Sequence, residues 1–100
     1  MLTKDIICMA IKQKKVLQFR YHGRVRVVEP HQLGFNPDGH IALGAYLVRG
    51  FSASKAADRW RKYVINEISS VSFLNETFDA PRPGYKKAPN EFFDIVICQL

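Results

Sequence analysis

Phe19-Arg20-Tyr21-His22-Gly23-Arg24-Val25-Arg26-Val27-Val28-Glu29-Pro30-His31 alternates basic side chains with aromatic and β-branched ones. A strand directs successive side chains to opposite faces. Such a segment can therefore bury one face and present arginine and tyrosine on the other. The theme returns in Arg59-Trp60-Arg61-Lys62-Tyr63-Val64-Ile65. Guanidinium groups on a rigid sheet, close to aromatic rings, suit phosphate binding and base stacking. The sequence holds no comparable grouping of catalytic residues, so it reads first as a binding module for a nucleic acid or nucleotide.

Working outward, residues Thr3 to Lys14 read as an amphipathic helix, with Ile6, Ile7, Ala10 and Ile11 at helical spacing. Thr3 is the expected cap and Asp5 suits the first turn. Val16 to Tyr21 reads as a strand, His22-Gly23 as a tight hairpin turn, and Arg24 to Val28 as the returning strand. Pro30 predicts an extended or edge conformation. Asn36-Pro37-Asp38-Gly39 is a turn, because Pro presets φ and Gly accepts positive φ.

His40 to Val48 is apolar on both faces and reads as a central strand, with Gly44 marking a bend, bulge or close approach. Gly50 to Asp58 reads as an exposed loop, Arg59 to Ile65 as a fourth strand and Val71 to Leu74 as a short fifth. Asp79-Ala80-Pro81-Arg82-Pro83-Gly84 stops any regular element. Residues 90–97 fit a helix capped by Asn90 or a strand over Asp94-Ile95-Val96-Ile97-Cys98, and pattern alone does not separate these. One helix and about five short strands predict an α+β, mostly β fold: a small, strongly bent sheet or barrel with the helix packed across it. Residues 1–78 form that domain, and 79–100 are a C-terminal extension packing on it.

The 100 residues suffice for one domain, and 47% hydrophobic content is that of a globular chain. A net charge of +6 favours polyanionic partners. A merely soluble basic domain would carry the same charge, so its arrangement decides. Cys8 and Cys98 are too few for a disulfide framework or metal cluster, and a reducing cytoplasm fits them, with a single bond between the termini as the alternative. Lys4, Asp5 and Lys12 interrupt any signal peptide, and no run approaches a membrane span.

With these segments laid out, the chain resembles the WYL domain, a family of bacterial ligand-sensing modules found mostly in transcriptional regulators and phage-defence proteins. The resemblance runs from Ile6 to Phe78. It begins with the helix ending in Ala10-Ile11 and with Leu17-Gln18-Phe19-Arg20-Tyr21. It continues through Arg26-Val27-Val28-Glu29-Pro30-His31-Gln32-Leu33, similar to the family's Arg-x-x-x-Pro strand, and then Gly39-His40-Ile41-Ala42-Leu43-Gly44-Ala45-Tyr46. It closes on Arg61-Lys62-Tyr63-Val64-Ile65-Asn66-Glu67-Ile68. Ile41-Ala42-Leu43 stands where the family has Trp-Tyr-Leu, and Glu67 where it has arginine. The resemblance implies an Sm-like or SH3-like β-barrel with an N-terminal helix. It also implies a positive face for nucleic acid or a nucleotide, carried here by Tyr21, Arg26, His31 and Arg61, with Tyr46 as a further position.

Arg26 and Arg61 are the first candidates for phosphate contact, since a guanidinium fork binds phosphate through parallel hydrogen bonds. Their bland reading is a solvated face or a pair with Glu29, Glu67 or Asp58. Arg59 and Arg49 flank the loop as further candidates, and Arg20 and Arg24 read as surface charge. Tyr21 and Tyr46 suit base stacking or, alternatively, core packing with the hydroxyl at the rim. Trp60, Phe19, Tyr63 and Phe73 read as core. His31 is a candidate phosphate or base contact, and His22 a turn residue. The three histidines lack zinc-ligand spacing, so no metal or cofactor is expected. Ser52 and Ser54 read as loop polarity, and no catalytic role is expected. The expected partner is single-stranded nucleic acid or a nucleotide effector, in transcriptional or phage-defence regulation. The competing reading is a protein-interaction or homodimerisation module using an exposed strand edge; no membrane partner is expected.

Overall fold

Ile7, Ala10 and Ile11 share one stripe of helix α1 (Thr3–Gln13), and all three are buried. The helix begins one residue earlier than a Thr3 cap requires: Leu2 holds the N-cap position and no side chain caps it. Lys14 ends it in the left-handed region, its amide donating to the Ala10 and Ile11 carbonyls. This chain is described as a computed structural model, which covers residues 1–52 and 58–100. Most of the loop expected over 50–58, including Ser54, lies outside the described residues.

Strand β1 (Lys15–Tyr21) turns through His22 and Gly23, both at positive φ, into β2 (Arg24–Phe35). Tyr21 then pairs with Arg24, as a two-residue hairpin requires. β2 is far longer than the Arg24–Val28 strand expected. It runs through Pro30, and its register with β3 (Ile41–Gly50) shifts between Pro30 and Gln32. A register shift tolerates a residue without an amide hydrogen. β4 (Trp60–Val64) leads through a 3-10 turn at Ile65–Glu67 into β5 (Ile68–Thr77). The open choice near the C-terminus resolves as a strand, β6 (Ile95–Gln99).

The result is one antiparallel sheet in the order β4-β3-β2-β1-β5, with β6 also beside β2. β2 is long enough to hold β1 along Arg24–Val28 and β6 along Gln32–Phe35. β4 and β5 do not pair among the described residues, so the sheet is open. The fold is thus a small, mostly antiparallel α+β domain.

Residues 26–34 of β2 are buried without a break, so both faces of the strand are covered. On the inner face, the buried stripe of α1 joins Leu17, Phe19, Val28, Leu33, Leu43, Leu47 and Tyr63 in one core cluster. On the outer face lies the segment after β5. Phe78 packs with Val16 and Val27, while Ala88 and Phe93 pack on Ala42. Phe93 is 1% exposed, and burying such a ring stabilises the segment's position by about 2–3 kcal/mol. A Cβ on Gly44 would approach Phe93 to 3.1 Å, which explains a residue without one. Phe73, expected in the core, is instead 37% exposed.

A disulfide joins Cys8 on α1 to Cys98 on β6, across 90 residues of sequence. The expectation of two thiols is corrected here. The helix and the last strand meet side by side, with Cα atoms 5.8 Å apart, which is within bonding reach. No helix is long and apolar enough to cross a membrane among the described residues.

Candidate anion-binding site

Arg26 follows the strand alternation onto the same face as Val28, opposite Phe19 of β1 and Gly50 of β3. At Gly50, φ is +102° and a Cβ would lie 2.5 Å from the Val25 carbonyl oxygen. Only glycine lets the chain double back this closely. The Phe51 amide then donates to Val25 O at 3.0 Å, and its ring comes to rest beside two arginines. The guanidinium carbons of Arg24 and Arg26 lie 4.8 and 5.1 Å from the Phe51 ring centre. Tyr21 and Tyr63 complete the enclosure at 5.5 and 5.9 Å from Arg26.

Arg26 is only 6% exposed. Its Nη2 donates to the Tyr21 carbonyl at 3.1 Å, whereas among the described residues neither Nε nor the Tyr63 hydroxyl makes a hydrogen bond. The acids that could neutralise it are engaged elsewhere. Glu29 pairs with Arg82, Glu67 with His22 at 2.6 Å, and Asp58 lies 3.8 Å from Arg61. Neither Arg24 nor Arg26 forms a salt bridge among the described residues. Two like charges against one ring, one of them buried, are costly unless an anion compensates them. Burial raises the pKa of both Tyr21 and Tyr63, so both phenols stay neutral. At Tyr21 the Val64 amide, which donates to the hydroxyl at 3.1 Å, opposes that rise. At Tyr63 the Arg26 charge opposes it.

The six residues expected to form one face divide between two. Tyr21, Arg26 and Arg61 belong to the inner side. Arg61, however, is largely committed: Nε and Nη2 donate to Ser52 Oγ at 3.1 and 3.0 Å, and Nη1 donates to the Asp58 and Trp60 carbonyls at 3.0 and 2.8 Å. Four of its five N–H groups thus secure the chain around β4. Arg59 donates through Nε to Leu47 O at 2.7 Å and also anchors backbone.

His31 and Tyr46 lie on the outer face, under the C-terminal segment. His31 is 0% exposed. Its Nδ1 bonds the Glu29 carbonyl at 2.8 Å, and Nε2 accepts the Arg82 amide at 3.0 Å. Phe78 stacks on the ring at 5.4 Å, and Trp60 meets it edge-on at 4.7 Å. His31 is thus enclosed beneath the C-terminal segment, on the face away from Arg26, and not exposed beside it as expected. Tyr46 offers its ring to Arg82, whose guanidinium carbon sits 4.5 Å from the centre. Arg82 also binds Glu29 with two parallel bonds of 2.7 and 2.9 Å. This outer cluster closes the fold.

Burial lowers the pKa of His31, helped by the Arg82 charge and opposed by Glu29. The folded protein therefore resists protonation that the unfolded chain accepts. The stability from neutral His31 is complete above its ordinary value of 6.5 and declines as pH falls below it. One proton corresponds to at most about 1.4 kcal/mol per pH unit. Urea unfolding at pH 7.5, 6.5 and 5.5 should show this decline, and His31→Asn should show a flatter profile over the same range.

Arg82, Arg24 and Phe51 were not among the expected site residues. An acid in Val27-Val28-Glu29-Pro30, covered on both faces, requires a cation, and Arg82 stands between two prolines that restrict its backbone. That pairing was legible in principle. Phe51 follows a glycine whose positive φ the sequence does not announce. No protein-family model, curated protein or solved structure matches this chain.

Proposed function

We propose that this protein is a non-catalytic, WYL-like regulatory domain. It binds a phosphate-bearing ligand, either single-stranded nucleic acid or a nucleotide effector, at Arg24, Arg26, Phe51 and Tyr21. The observation that carries this reading is the buried Arg26 guanidinium, which among the described residues has no carboxylate and no hydrogen bond at Nε. A ligand phosphate displaces the Phe51 ring, which is 42% exposed, and takes the two guanidinium groups. A base then stacks on the freed ring or on Tyr21. The Sm-like or SH3-like barrel expected of a WYL domain belongs to this reading, and one antiparallel sheet with an N-terminal helix is consistent with it. A cytoplasmic setting belongs to this reading only where cellular reductants hold Cys8 and Cys98 as thiols; thiol counting on protein from cells checks it.

Fluorescence anisotropy with short single-stranded DNA and RNA, duplex DNA and nucleotides, at two salt concentrations, tests the assignment. Arg24→Ala and Arg26→Met should each weaken binding roughly tenfold to a hundredfold, as loss of a charged hydrogen bond does. For single strands, each should also flatten the log-affinity against log-salt slope by about 0.7. Unchanged affinity in both variants refutes the site.

A second reading is favoured by one observation. Among the described residues β6 pairs with β2 alone, and its Ile95, Val96 and Ile97 are 61, 38 and 39% exposed. An apolar outer strand can pair with another chain, giving a dimer or a regulatory protein complex. Light scattering that gives the monomer mass at high concentration, unchanged by Ile95→Lys, counts against it.

A further inference from the structure

Between β4 and the loop 83–93 lies a groove of about 700 Å³, on the outer face of the sheet. This volume lies in the range of small-molecule sites. Its walls carry Trp60, Tyr85, Phe92 and Phe93. The uncharged polar side chains of the lining, which include Gln32 and Asn90, are bonded internally. Trp60 Nε1 donates to Pro83 O at 2.9 Å, and Gln32 Nε2 and Asn90 Nδ2 both donate to the Lys86 carbonyl. Asn90 Oδ1 accepts the Phe92 and Phe93 amides at 2.8 and 2.9 Å. At Gly84, φ is +94° and a Cβ would sit 3.1 Å from Trp60 Nε1, so the loop approaches the indole as only glycine permits. The groove is therefore built and braced.

Its charge is asymmetric. Lys62 places its ammonium 3.6 Å from the Phe92 ring centre, and Lys86 lies on the opposing loop. Of the two acids on the lining, Asp58 is held by the Trp60 amide and faces Arg61, which leaves Glu91 against two lysines. We infer that this groove is a second ligand site, separate from Arg26, for a small planar aromatic anion. Its ring lies against Trp60, Tyr85 and Phe92, and its carboxylate or sulfonate lies between Lys62 and Lys86. The bonded wall groups leave apolar surface for the ring, and the lysines supply the charge that selects an acid over its neutral counterpart.

Trp60 is the sole tryptophan, so its indole N–H gives one assigned signal in a nitrogen–proton correlation spectrum. Titration of the whole chain with 2-naphthoate and with neutral 2-naphthalenemethanol reads the site directly. The acid should move the Trp60 signal saturably and bind about fivefold more tightly than the alcohol, the scale of an exposed ion pair. Lys62→Gln/Lys86→Gln should remove that preference, while Arg26→Met should preserve it. A signal that does not saturate, equal affinity for acid and alcohol, or a preference that survives the lysine changes but not Arg26→Met overturns the inference. Failure of the Arg26 site alone would leave the Trp60 response intact, so the two assignments fail separately.

Discussion

Arg82→Ala should lower stability by about 3 kcal/mol, the low end for breaking a buried pair. For a domain of this size that is a melting temperature roughly 10–25 °C lower. The reason lies with the partner left behind. The Glu29 side chain is 7% exposed and that of Arg82 is 41% exposed. Removing the arginine leaves a buried carboxylate under Tyr46 and His31, with the site open enough for partial hydration. The paired change Glu29→Met/Arg82→Met removes both charges and should return stability to within about 1 kcal/mol of the parent. A single-variant loss below about 1 kcal/mol, or a double variant as unstable as the single, would show that the pair does not hold the C-terminal segment. Thermal and urea unfolding of the parent, Glu29→Met, Arg82→Met and the double variant measure the coupling.

Arg26→Met should act in the opposite sense on stability while weakening binding. Without ligand the guanidinium is buried, and among the described residues it has one acceptor and no hydrogen bond at Nε. Methionine keeps an apolar stem of similar length among Tyr21, Phe51 and Tyr63. It forfeits the ring contacts, which contribute up to about 2 kcal/mol, and removes a desolvation penalty of several kcal/mol. The net expectation is a gain of about 1 kcal/mol, or a rise of roughly 4–8 °C in melting temperature. A loss of more than about 2 kcal/mol would make Arg26 a structural cation clamped by rings, with no call for an anion.

Much of the frame is legible in the sequence because its signals are local. The α1 stripe, the His22-Gly23 turn and the turn at 36–39 follow from periodicity and from residues with restricted φ. The length of β2 is not legible, because Pro30 usually marks a strand's edge and here falls at a register shift that only β3 specifies. The site was half legible for the same reason. Alternation places Tyr21 and Arg26 on one face. It cannot show that His31 and Tyr46 face the other way, beneath a segment some 50 residues later that brings Arg82. Nor does it show which cation answers which acid. Glu29 has Arg26 as its near neighbour in sequence but pairs with Arg82, and Arg26 has no carboxylate partner among the described residues.

The most direct measurement is the Nε–Hε signal of Arg26, assigned by its loss in Arg26→Met and followed by nitrogen-15 spectroscopy during titration with a nucleoside monophosphate and then a short single-stranded oligonucleotide. The account predicts a large saturable shift of that signal, with the Phe51 ring protons moving at the same ligand concentration. A stationary Arg26 Nε–Hε signal while ligand binds elsewhere, or no binding of either ligand at low salt, would contradict it.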